Sequence, residues 1–240
     1  MTHKTFGYFD LLETFPKPGC AVCNLLLRDT HAFLDSIMYE YVMDPETQNK
    51  FRDSRGLCDQ HGWQIAQMGS GLGVAVLYER ALGDLLETLN AAAKGTTRSG
   101  GLSRLRGGKE GTALADALEP SQPCIACKHL TESEARYLKE ISQHANDPKL
   151  QAAYSASDGL CLEHFRGLLR VTGSPARLQT LIAMQTDIWT RLRAELNEFM
   201  RKSDFNNAGE KMGVEGSSWR RVVARLGGEH GVFGLRRLKP

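Results

Sequence analysis

Leu26, Leu27, Phe33, Leu34, Ile37, Met38 and Tyr41 recur at spacings of three and four between Cys23 and Met43, which is the apolar stripe of an amphipathic helix. Asp44-Pro45 interrupts it. Proline drives the residue before it out of helical geometry, yet Pro45 in a first turn with Asp44 as its N-cap suits a short second helix through Phe51. Gly56 closes that helix, and a third is predicted from near Leu57. After Gly69-Ser70-Gly71, a long fourth helix over 72–94 carries Val76, Leu77, Leu82, Leu85, Leu86 and Leu89. The order then returns, with helices predicted over 124–144, 148–155, 160–171 and 175–202. No segment competes with a strand's two-residue period, so the fold class is all-α.

The recurrence extends to single residues. Cys20-Ala21-Val22-Cys23 precedes Gly56-Leu57-Cys58-Asp59-Gln60-His61, and Cys124-Ile125-Ala126-Cys127 precedes Gly159-Leu160-Cys161-Leu162-Glu163-His164. Asp44-Pro45 and Asp147-Pro148 each stand fourteen residues before the cysteine of the second motif, and one inserted residue aligns the halves. An internal duplication follows, with two four-helix halves at 20–94 and 123–203. Outside them lie an N-terminal flap over 1–19, with a short apolar turn of Phe6, Phe9, Leu11, Leu12 and Phe15, and a Gly/Ser/Thr-rich flexible linker over 95–122. The tail over 204–240 holds a short helix in which Trp219, Val222, Val223 and Leu226 form an apolar face.

Composition narrows the class. Thirty Lys+Arg against 28 Asp+Glu give a net charge of +2 with 41% hydrophobic residues, too balanced for a disordered polyion. No apolar run approaches the ~20 residues of a membrane span. The opening MTHKTFGYFDLLETF has acids where a secretory signal has its apolar core, which points to the cytoplasm. Thiols stay reduced there, so six cysteines are not expected to form a disulfide framework.

Three cysteines per half is odd for disulfide pairing and complete for a Cys3His tetrahedron, the donor set that Zn2+ favours. Each half is therefore expected to hold one structural zinc ion, two in all, through Cys20, Cys23, Cys58 and His61 and through Cys124, Cys127, Cys161 and His164. A C-x-x-C at a helix start sits at the positive end of the dipole, which lowers thiol pKa. [4Fe-4S] clusters with one His ligand, or redox-active thiols, are the alternatives. Four protein donors leave no position open for catalytic water, and no hydrolase, phosphate-loop or metalloprotease motif is present, so an enzyme is not expected. Glu163 reads as a solvated charge, and His31, His129 and His144 as surface residues.

A binding or scaffold role, most simply with another protein as partner, remains. Nucleic acid is a further candidate partner, because Trp219, Arg220, Arg221, Arg225, Arg236 and Arg237 make the tail basic and the linker adds Arg98, Arg104, Arg106 and Lys109. The paired motifs, the aromatics Trp63 and Phe165 after the histidines, and the closing Ser218-Trp219 resemble an uncharacterised bacterial family known only as a domain of unknown function. That family's usual C-P-x-C is departed from, since Ala21 and Ile125 replace the proline. The resemblance implies a duplicated, metal-binding helical domain and carries no activity.

Overall fold

A computed structural model describes residues 3–94, 110–207 and 209–232, and over them the protein is all-α, with eleven α-helices and no strand. The chain divides into two compact units, Met1–Asp29 with Thr131–Pro240 and, continuous in sequence, Thr30–Leu130. Both divisions fall inside long helices, α2 (Ala21–Ser36, continued as a π-helical turn Ile37–Tyr41) and α7 (Ile125–Gln143).

In the first unit the N-terminal segment, expected as a flap with a short apolar turn, forms a capped helix. Thr5 accepts the Gly7 N–H and opens α1 (Phe6–Thr14). Spacings of three and four put Tyr8, Leu11 and Phe15 on its buried face, while Phe6 and Phe9 are exposed. Burial of each such side chain contributes about 1.5–3 kcal/mol. Asp147, the N-cap of α8 (Pro148–Ala156), accepts from Tyr8 Oη (2.8 Å) and Lys4 Nζ (2.7 Å) and so clasps α1 to α8. His144 is buried, contrary to its surface reading: α1 covers it, with the Tyr8 ring 5.0 Å away edge-on, and the Glu140 carboxylate lies 3.6 Å from Nε2. Then follow α9 (Leu162–Val171) and α10 (Pro175–Ser203), which buries Leu181, Met184, Gln185, Ile188 and Leu192.

In the tail helix, α11 (Ser218–Gly227), a cation is buried more fully than the apolar face. Trp219, Val223 and Leu226 are exposed, whereas Arg225 is 3% exposed and donates to Asp158 (2.8 Å). A buried guanidinium needs carboxylates, and Glu229 is a second one at 3.5 Å. Before α11, Glu215 accepts from the Gly213 N–H (2.7 Å) and from Lys202 Nζ (2.8 Å). These contacts, the backbone one foremost, lower its pKa from 4.5 to about 2. A lowered folded pKa means stabilisation that is complete above pH ~4.5 and lost as the pH falls towards 2. Glu215→Gln should therefore be less stable than wild type at pH 6 and nearly equal to it at pH 2, as read by urea unfolding across that range.

The second unit packs α3 (Pro45–Asp53), α4 (Asp59–Gln67) and α5 (Gly71–Ala93) around Leu34, Ile37, Met38, Phe51, Ile65, Leu77 and Ala81. Part of the expected linker is ordered here as α6 (Glu110–Leu118). Glycine and serine give way to alanine and leucine after residue 111, and these favour a helix. Arg55 Nη2 donates to the Ala117 carbonyl (3.1 Å), and the Ser121 N–H to that of Asp53 (2.9 Å). The linker cations Arg98, Arg104, Arg106 and Lys109 lie outside the described residues, as do Arg236 and Arg237.

Candidate metal centres

All eight predicted donors converge, in two groups of four whose ligand atoms lie within 4.8 Å of one another. Their partnering is crossed relative to the sequence repeats. Cys20 and Cys23 meet Cys161 and His164 in the first unit, and Cys124 and Cys127 meet Cys58 and His61 in the second. Helix length explains the exchange. From Cys20 the chain runs outward through 16 residues of α2 and five of its extension, roughly 30 Å at ~1.5 Å per residue. The nine residues of α3 span about 14 Å, less than half of that, and Cys58 groups with Cys124 and Cys127 instead. The 19 residues of α7 and nine of α8 repeat the imbalance.

At the first centre His164 Nδ1 is 3.4 Å from Cys20 Sγ, 3.4 Å from Cys23 Sγ and 3.3 Å from Cys161 Sγ, and the last two sulfurs are 3.8 Å apart. At the second, His61 Nδ1 is 3.2, 3.5 and 3.7 Å from Cys58, Cys127 and Cys124, with Cys58 and Cys127 3.5 Å apart. Bonds of ~2.3 Å to sulfur and ~2.0–2.1 Å to nitrogen give tetrahedron edges of roughly 3.8 and 3.5 Å, so the donor atoms fit one ion per group.

Each centre joins two helix N-termini. Cys58 and Cys161 are the N-caps of α4 and α9, and α2 and α7 begin at the residues after Cys20 and Cys124. Their dipoles favour thiolates. The glycine before each N-cap motif has a left-handed backbone, φ 90° at Gly56 and 70° at Gly159. A Cβ at Gly56 would also stand 2.9 Å from the Tyr78 ring and one at Gly159 3.0 Å from the Gln185 amide, which explains glycine at both.

The sulfurs compete for ionisation. Burial opposes the Cys20 thiolate, but hydrogen bonds from Cys161 and Cys23 outweigh it and hold its pKa well below the usual thiol value; bonding to Cys161 and Cys20 pushes Cys23 up. Hydrogen bonds from Cys127 and Cys58 lower Cys124, bonding to Cys124 and Cys58 raises Cys127, and His61 rises to about 9 because Cys124 and Cys58 outweigh its burial. One thiolate makes the next harder to form at these separations, so three together call for a cation between them.

Some supporting residues carry no motif. Buried Gln185 accepts the Leu160 N–H and donates to the Leu160 carbonyl, both at 3.1 Å, and accepts from Tyr154 Oη, which fixes the peptide before Cys161. Its signal was a polar residue on the apolar stripe of α10. Asp158 accepts from the Gly19 N–H (2.9 Å) and Arg225, linking the segment before Cys20 to α11. Glu134 stands 3.7 Å behind His164 at Nε2. Glu163 is part-exposed and pairs with Arg166. Of the two aromatics after the histidines, Phe165 packs edge-on against Trp189 (5.6 Å), while Trp63 is exposed. Among the tail cations Arg221 is bound to Glu195, Arg225 is buried, and Arg220 lies over the Trp219 ring at 4.7 Å.

Among the described residues, no helix is long and apolar enough to cross a membrane. A sequence model of a family of unknown function, DUF6062, matches residues 9–231. No curated protein and no solved structure matches the chain.

Proposed function

The chain belongs to that family of unknown function, and from its two donor clusters we propose that it is a metal-binding helical protein that holds two structural zinc ions and acts as a binding or scaffold module. The observation that carries the reading is the pair of Cys3His groups with all donor atoms within 4.8 Å. Such edges suit a single ion and disfavour a [4Fe-4S] cluster, where each ligand holds a different iron and the whole cluster must fit among them. Zinc would supply a cross-link between segments distant in sequence, with no open coordination position for catalytic water. The six cysteines are free thiols, in keeping with a reducing compartment such as the cytoplasm.

A protein partner is supported by the apolar side chains that the helices leave exposed, Trp219, Val223 and Leu226 on α11 and Leu82, Leu86 and Leu89 on α5. Nucleic acid has less support, because Arg221 and Arg225 are engaged within the protein. Elemental analysis of protein purified without oxygen tests the metal reading. We expect about two equivalents of zinc, matching the two clusters, and loss of helical circular dichroism when a strong chelator removes them. Folded protein that holds no zinc would overturn the proposal.

A further inference from the structure

The two centres differ in access. Cys20, Cys23, Cys161 and His164 are each 0% exposed, whereas Cys58 and Cys127 are part-exposed and Cys124 and His61 are buried behind them. The part-exposed sulfurs face each other at 3.5 Å. Behind His164 the Glu134 carboxylate stands 3.7 Å from Nε2, beyond hydrogen-bond reach, so it is access and not the imidazoles that separates the two centres. Oxidation of thiols follows thiolate character and exposure. On the reading of both clusters as zinc sites, we infer that the second centre is an oxidant-sensitive modification site, where hydrogen peroxide joins Cys58 to Cys127 while the first centre stays intact.

The chemistry balances with peroxide as the oxidant. One of the two thiolates attacks the peroxide; an S–O bond forms, the O–O bond breaks and hydroxide leaves. The other thiolate attacks that sulfur; the S–S bond forms, the S–O bond breaks and a second hydroxide leaves. Two thiolates lose two electrons, peroxide gains them, and two protons complete two waters. Cys124 and His61 are then the remaining donors, and two donors do not hold a tetrahedral ion. The first centre resists because no sulfur of it reaches solvent.

The test uses full-length protein loaded with zinc and treated with limiting hydrogen peroxide. A zinc-binding dye follows release, and alkylation with tryptic mapping follows the sulfurs. One equivalent should leave on the order of tenfold faster than the other. Peptide 56–80 should appear cross-linked to peptide 110–128 with Cys124 alkylated, while Cys20, Cys23 and Cys161 remain thiols. Equal release rates, no release, earlier loss from the first centre, or a disulfide closed within 110–128 would each overturn the inference. A protein without zinc at the outset fails the zinc reading and this inference together, whereas two bound ions lost at equal rates fail the inference alone. Because Cys58→Ser also removes a donor of the centre, the wild-type map carries the result.

Discussion

A fragment spanning residues 30–130 is expected to fold around one equivalent of zinc, while a fragment spanning 20–94 binds none at comparable affinity. The second fragment is a complete sequence repeat, yet it holds half of each donor set: Cys20 and Cys23 from one centre, Cys58 and His61 from the other. The first contains Cys58, His61, Cys124 and Cys127 together with the core of Leu34, Ile37, Phe51, Ile65 and Leu77. Structural zinc with four donors contributes about 10–16 kcal/mol of apparent binding energy in small folded peptides, much of which is folding energy. Titration with cobalt as a coloured probe, followed by competition with zinc, compares the two fragments directly. A tetrahedral cobalt spectrum from 20–94 would refute the crossed arrangement.

Among single substitutions, His164→Ala is expected to have the largest effect. It removes a fully buried donor and leaves three sulfurs crowded in the same space. A domain's whole stability is about 5–15 kcal/mol, so loss of most of an ion's contribution leaves the first unit unfolded. The neighbouring Glu163→Ala is the control. Its side chain is part-exposed and meets Arg166 one helical turn away, so it should cost less than ~0.5 kcal/mol. Zinc content and limited proteolysis check both: His164→Ala should retain about one equivalent and be cut within 131–232, and Glu163→Ala should match wild type. A folded His164→Ala holding two equivalents would count against the site.

The helices and the donors were legible in the sequence because each is a local property. A stripe such as Leu26, Phe33, Ile37 and Tyr41 declares its own period, and Asp44-Pro45 and Asp147-Pro148 cap the short helices where the spacing puts them. Partnering was not legible from motif spacing, because it depends on where about 21 helical residues carry the chain before α3 turns it. The polar anchors were hidden for another reason. Arg225 shares with Arg220 and Arg221 the highest exposure prior in its helix, and it is the position of Asp158, distant in sequence, together with Glu229 that makes its burial favourable. His144 illustrates the same limit, since its surroundings come from α1.

The crossed ligands also set an order of events on the ribosome. Of the eight donors, synthesis delivers Cys20 and Cys23 first, then Cys58 and His61, and none of the other four appears over the following sixty or so residues (62–123). The first four make a full Cys3His set of the wrong members. The second centre becomes available when Cys127 emerges, and the first waits for His164, so the earliest sulfurs made are the last to be correctly partnered. An outward-running α2 that forms as it is made, within microseconds against the ~0.1 s per residue of translation, keeps Cys20 apart from Cys58 throughout that interval. The helix thereby acts as a spacer against premature metallation.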